Sequence, residues 1–460
     1  MKHWIEKLLV RLWNRCLSRR SAPAPATRAL DLGAQFSEDT GTRGRVTIPQ
    51  AKRAEHLAVL GRTGAGKSSL IKYIAQQDIG SGRGFVYFDL HGDAMPFLLA
   101  AFAHQEHLLG GDLSEKLIVI EPGDPDCSVG LNPLEHQNGV EPFVQAGEFT
   151  QILKQHWHLD SFGARTEELL RNSILALAES GQTLTELASF LAHTAFRAQC
   201  LKALGNAEVR QYFELRYDHA SERMRAVMRE PILNKVSAFT ADPHFRHIVG
   251  QARSTFSILE AMDEGRWVIL NLHKGRLGEQ AATLGSLFLT KIKNALFARR
   301  SRALFTLYCD EMQNLVSYGA GLETMLSEAR KFGVGIVTAN QFLDQYPAEM
   351  RAAVMAVGTH VFFQLSPQDA QQMAAALDGG KPLAELLKNL PRRHMVVKTG
   401  SERWQEAVVP QLAGPKADAA DLYARCRARW ARKRSEVEND IRRRQETVAR
   451  STKEALDAWE

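Results

Sequence analysis

The chain has 460 residues, 45% apolar and 24% charged, which is enough to bury a large core and too apolar for a disordered chain. No apolar run reaches the roughly 18–20 residues that cross a bilayer as a helix. The cysteines Cys16, Cys127, Cys200, Cys309 and Cys426 are scattered, with no C-x-x-C pair, which argues against a structural zinc site and suits a reducing cytoplasm, while the net charge of +6 leaves a polyanionic partner open.

Residues 1–27 read as an amphipathic helix and a linker. Trp4, Ile5, Leu8, Leu9, Leu12, Trp13 and Leu17 recur at helical spacing, with Lys2, Lys7, Arg11, Arg15, Arg19 and Arg20 between them. Glu6, Lys7 and Arg11 interrupt the run too early for a secretory signal. Two readings stand side by side: a peripheral contact with an anionic membrane through residues 1–20, or docking onto this protein or a neighbouring subunit. Ser21-Ala22-Pro23-Ala24-Pro25-Ala26 follows as the linker.

Leu57–Leu60 is an apolar strand, and Gly61-Arg62-Thr63-Gly64-Ala65-Gly66-Lys67-Ser68 follows it with the G-x-x-x-x-G-K-[ST] spacing of a phosphate-binding loop. Ser69 and the apolar residues after it open a helix. Glycines let successive backbone N–H groups wrap phosphates, and the helix N-terminus adds positive potential. Lys67 is expected on the β- and γ-phosphates and Ser68 on Mg²⁺. Asn234-Lys235 is a fragment of a guanine-selecting motif without its aspartate, so ATP is the expected nucleotide.

Phe85–Phe88 and Leu117–Ile120 are the next strands. From about residue 134 to 250 the strand signal vanishes. Residues 166–177 carry apolar side chains at helical spacing, and Thr183 with Glu186 forms a capping-box pattern. Strands resume at Trp267–Leu272. At Leu304–Cys309 an apolar strand ends in Asp310 and Glu311. Asp310 is expected in the Mg²⁺ shell, and Glu311 is expected to orient or deprotonate the attacking water. Arg330 is open to two readings, a trans-acting arginine finger or a structural ion pair. Gly335–Thr338 leads to Gln341, a candidate sensor of the γ-phosphate, and His360–Gln364 and Met395–Val397 complete the strands. From Lys416 the arginine-rich tail reads as one long charged helix, solvated or coiled-coil, with nucleic-acid contact as the alternative.

Apolar strands alternating with helices predict an α/β fold: a RecA-like P-loop NTPase core with a parallel-rich sheet and an inserted all-helical domain. The expected divisions are 1–27, the first part of the core at 28–133, the insert at 134–250, the second part of the core at 251–413 and the tail at 414–460. His91, between Asp89 and Asp93, reads as a structural hydrogen-bonding residue.

The phosphate loop, Phe88-Asp89-Leu90-His91-Gly92-Asp93, Gly130-Leu131-Asn132-Pro133-Leu134, the Asp310-Glu311 strand and the segment from Arg330 to Gln341 together resemble the HerA/FtsK superfamily of DNA-pumping ATPases. Within it the sequence is most similar to the TraD/TraG and VirD-type coupling proteins of type IV secretion, over roughly residues 45–405. The resemblance implies a hexameric ring with ATP and Mg²⁺ at subunit interfaces and DNA threaded through the channel. It implies Lys67 and Ser68 on phosphate and metal, Asp310 and Glu311 as the acidic pair, Gln341 as sensor and Arg330 as the arginine acting in trans. Coupling proteins usually carry N-terminal transmembrane helices, where this sequence has only the short amphipathic segment. The alternatives are a soluble HerA-like DNA-processing or anti-phage motor working with a nuclease, a protein-secretion ATPase, or a nucleotide-assembled scaffold. A relaxosome or other secretion component is the corresponding partner for the coupling-protein reading.

Overall fold

In the computed structural model the described residues are 29–37, 41–136, 140–156, 163–278, 280–311, 321–414 and 417–457. The amphipathic segment 1–20 and its linker lie outside them. The strands are β1 (Leu30–Ser37), β2 (Gly41–Ile48), β3 (Leu57–Leu60), β4 (Phe85–Asp89), β5 (Leu117–Ile120), β6 (Cys127–Ser128), β7 (Trp267–Asn271), β8 (Phe305–Cys309), β9 (Val334–Asn340), β10 (Thr359–Phe362), β11 (His394–Thr399), β12 (Gln405–Val408) and β13 (Arg432–Lys433).

Eleven of them form one sheet in the order β2-β1-β12-β11-β10-β3-β9-β8-β4-β7-β5. From β10 to β5 every pairing is parallel. The β11, β12, β1 and β2 end is antiparallel. Side chains alternate across the sheet. Phe85 and Tyr87 enter one core with the helices Lys67–Gly80 and Met95–Leu109, while Val86 and Phe88 enter the other with the helix Gln280–Ala298. A parallel sheet must be covered on both faces, and the continuous apolar runs reflect that.

Of the eleven strands in this sheet, the sequence reading omitted β1, β2 and β12. Leu30 and Leu32, and Val46 and Ile48, are buried at period two, but polar and glycine residues between them dilute the run. An antiparallel strand at a sheet margin needs only one apolar face.

Between β6 and β7 the described elements are all helical, including Pro142–His156, Ala164–Glu179, Glu222–Thr240 and Pro243–Val249. The Thr183–Glu186 capping box forms: Glu186 Oε2 accepts from Thr183 N at 2.9 Å.

The tail is not one solvated helix. It is two helices, Ala420–Trp430 and Arg434–Asp457, joined where β13 pairs with β6 (Arg432 with Ser128, Lys433 with Cys127). Val437, Ile441 and Val448 are buried at helical spacing. Several of its arginines pair within the chain: Arg427 Nε lies 2.8 Å from Asp124, and Arg444 Nε lies 3.2 Å from the fully buried Glu186. High charge density hid an apolar stripe that binds the tail to the body.

A buried polar cluster ties the phosphate-loop helix to β8. Arg53 Nη1 and Nη2 grip Asp78 at 2.7 and 2.6 Å. Tyr308 OH donates to the same carboxylate at 2.6 Å. Asp78 is 0% exposed and Arg53 7%. Asp78→Ala would strand the buried guanidinium, a loss of about 3–5 kcal/mol. Denaturant unfolding should register that drop, and a change within error would remove the cluster from the stability of the core.

Candidate active site

β3 delivers the phosphate loop at the carboxyl edge of the parallel sheet, where α/β folds bind ligands. Gly64 and Gly66 have φ of +77° and +128°, which side-chain-bearing residues rarely adopt. Gly61 is required by close approach instead: a Cβ there would lie 2.6 Å from Phe363 Cβ. The residues after β10 and before β11 floor the loop. Arg62 N donates to Gln364 O and Arg393 N to Ala65 O, both at 2.8 Å. Sequence reasoning did not single out Phe363 and Arg393. The available signal was an aromatic residue continuing a predicted strand.

The helix Lys67–Gly80 starts at the loop lysine. Lys67 is buried, and its Nζ donates to Gly61 O at 2.6 Å and Arg62 O at 3.1 Å. Burial pulls its pKa down, and the Asp310 and Glu311 carboxylates partly restore it. Ser68 Oγ donates to Asp310 Oδ2 at 2.6 Å. Burial raises the Asp310 pKa, opposed by that hydrogen bond and by Lys67. Ser69 is half-buried in the first helical turn.

Glu311 stands just past β8 with φ +54°, a conformation that is uncommon outside glycine and concentrates at functional positions. Its Oε1 accepts from Gln341 Nε2 at 3.3 Å. Gln341 Oε1 in turn accepts from Thr63 Oγ1 at 3.0 Å. On the other side, His91 Nε2 lies 3.0 Å from Glu311 Oε2. The sequence marked His91 as a structural hydrogen-bonding residue but did not connect it to Glu311. Burial lowers the pKa of Lys274, the first residue of the short helix Lys274–Leu277 after β7, and the Glu311 charge partly offsets that.

Arg330 is not part of this cluster. It lies before β9, whose seven residues separate the two edges of the sheet by roughly 20 Å. There its Nη2 is 3.1 Å from Glu55 Oε1, with the arginine side chain 66% exposed. Within the chain, then, Lys67, Ser68, Asp310, Glu311 and Gln341 converge, and Arg330 lies at the opposite edge of the sheet.

The residues present fit a nucleoside triphosphate with Mg²⁺. The loop keeps its tight curve because a Cβ at Gly61 or Gly66 would press into Phe363 on its floor. Ser68 and Asp310 offer hard oxygen donors side by side, the ligand type that Mg²⁺ takes.

The family model for the helicase HerA central domain matches residues 45–292, more than half of the chain. No curated protein matches the sequence. Among solved structures, the unbound bacterial conjugative coupling protein TrwBΔN70 is similar at TM-score 0.58 and 18% identity, over 85% of this chain and 93% of that one. The plasmid coupling protein TrwB with ADP and Mg²⁺ is similar at TM-score 0.57 and 16% identity, over 85% and 97%. VirB4 of Thermoanaerobacter pseudethanolicus is similar at TM-score 0.55 and 16% identity, over 84% and 97%. The RecA-like P-loop fold is common to all of them.

Proposed function

We propose that this chain, which belongs to the HerA helicase central-domain family, is an ATP-driven DNA translocase acting as a hexameric ring, in the manner of a conjugative coupling protein. The observation that carries the ATPase reading is the convergence of Lys67, the Ser68–Asp310 pair and Glu311 at one edge of the sheet. Bound Mg²⁺ supplies charge neutralisation on the phosphates. Lys67 holds the phosphates through its ammonium and draws charge off them. Ser68 and Asp310 would hold the metal. Glu311 takes the proton of the attacking water or fixes its direction. Gln341, tied to Thr63 and Glu311 at once, couples the state of the loop to the base.

DNA is the proposed cargo, supported by the family and by the net charge of +6. A relaxosome component or a nuclease is the proposed protein partner. Among the described residues no helix is long and apolar enough to cross a membrane. The proposed location is cytoplasmic, with a peripheral contact through residues 1–20.

Affinity for DNA should be nearly independent of sequence and should fall steeply with salt, with a log–log slope of about −0.9 for each duplex phosphate neutralised. Fluorescence anisotropy across a salt series reads both properties. Affinity unchanged by salt, or a strong sequence preference, would remove the translocating channel. The deciding experiment is the ATPase rate with single-stranded DNA, duplex DNA and no DNA, beside oligomer mass. DNA-stimulated turnover by a ring supports the motor. Stimulation by a protein substrate alone would assign a protein-secretion ATPase instead.

A further inference from the structure

We infer that His91 is a latch that holds Glu311 in a resting pose, and that DNA raises ATP turnover by releasing it. The inference rests on the ATPase reading above and extends it to how the site is kept quiet between turnovers.

The sheet order supplies the direction. β8, which carries Glu311, lies between β9 and β4, and β3 with its phosphate loop lies beyond β9. Gln341, at the tip of β9, is therefore on the phosphate side of Glu311. His91, just past β4, is on the far side, about three strand spacings of ~4.8 Å from β3. The contact of Glu311 Oε2 with His91 Nε2 at 3.0 Å engages that oxygen from the β4 side. With a carboxylate as partner, Nε2 is the nitrogen that carries hydrogen. The other oxygen, Oε1, accepts from the Gln341 amide at 3.3 Å. A base that orients water toward a γ-phosphate must have a carboxylate oxygen released to accept from that water, and here one oxygen is engaged by the Gln341 amide and the other by the His91 imidazole.

The loop carrying His91 is built to hold it there. The Asp89 carboxylate accepts from Gly92 N at 2.8 Å, Ala94 N at 3.0 Å and Met95 N at 2.8 Å. Leu90 O accepts from Lys274 N at 3.1 Å. Gly92 is packed so closely on His273 that a Cβ would come within 2.4 Å of its ring. The loop is fixed, yet the His91 side chain is 53% exposed. A partner outside the subunit can reach this side of Glu311. The Gln341 side answers to Thr63 in the phosphate loop.

The test compares steady-state ATPase rates, with and without duplex DNA, for the parent, His91→Ala, His91→Gln, Glu311→Gln and the His91→Ala/Glu311→Gln double variant. A hydrogen bond to a charged group is worth on the order of tenfold in an equilibrium, less where solvent competes. His91→Ala should raise the DNA-free rate by about five- to tenfold on that scale. Its DNA-saturated rate and KM for ATP should stay near the parent values, so that the stimulation ratio collapses. His91→Gln keeps a donor at similar reach and should retain the low basal rate. The double variant should be as inactive as Glu311→Gln, because the released group is the carboxylate itself. A loss of rate in His91→Ala with and without DNA would make His91 a residue that aligns Glu311 productively, and an unchanged basal rate would leave it no role; either overturns the latch while the parent's Glu311-dependent turnover still carries the ATPase reading. A parent with no Glu311-dependent turnover overturns both.

Discussion

Replacing Glu311 with glutamine should leave ATP binding intact and lower turnover by about 10²–10⁴-fold, the usual contribution of a positioned general base. The substitution keeps the volume and the hydrogen-bonding length at the tip of β8 but removes the proton acceptor. Lys67 and the Ser68–Asp310 pair, to which the proposed mechanism gives the binding, are untouched by it. Lys67→Ala should fail one step earlier. The buried ammonium that bonds Gly61 O and Arg62 O is lost, and with it the positive charge that meets the phosphates. Equilibrium titration with a fluorescent ATP analogue beside steady-state turnover separates the two variants. Near-parental turnover by Glu311→Gln would remove Glu311 from the chemistry, and unchanged nucleotide affinity in Lys67→Ala would do the same for the loop lysine.

The core of this site was legible in the sequence because its parts are local. A glycine-rich loop needs its residues at fixed spacing, and Gly64 and Gly66 are glycine for backbone reasons that act within a few positions. Asp310 and Glu311 follow an apolar strand directly. The apolar runs of the parallel sheet were equally plain, since strands buried on both faces leave no polar side to confuse the pattern. What remained hidden depends on distant pairing. His91 meets Glu311 only because β4 and β8 are neighbours, and nothing within either segment announces that. Phe363 and Arg393 close under the phosphate loop from beyond β10. The tail hid its role differently: its arginines look solvated in sequence, and their carboxylates at Asp124 and Glu186 are hundreds of residues away.

Arg330→Ala should lower turnover by about 10³–10⁵-fold in assembled rings, the scale of an arginine supplied in trans to a transferring phosphoryl group, while ATP binding survives. Within a subunit Arg330 lies at the opposite edge of the sheet from Lys67, so it cannot serve its own phosphate loop without a large rearrangement. Its ion pair with Glu55 at 3.1 Å is no obstacle to action in trans. The arginine is two-thirds exposed there, and surface pairs of this kind contribute roughly 0–1 kcal/mol. The charge on a neighbour's γ-phosphate could readily outcompete that carboxylate. A structural role makes a different demand, because a weak exposed pair that only braces the fold would cost little activity when removed. Mixing Arg330→Ala with Glu311→Gln separates the cases. Each variant is inactive alone, but a mixed ring contains interfaces where an intact Glu311 faces an intact Arg330. Those interfaces should recover activity if sites can fire singly, with a maximum near equal proportions. Specific activity of the parent should also rise with protein concentration as rings assemble. Full-rate hydrolysis by a monomer too dilute to form rings, or an Arg330→Ala ring that turns over like the parent, would end the shared-site account.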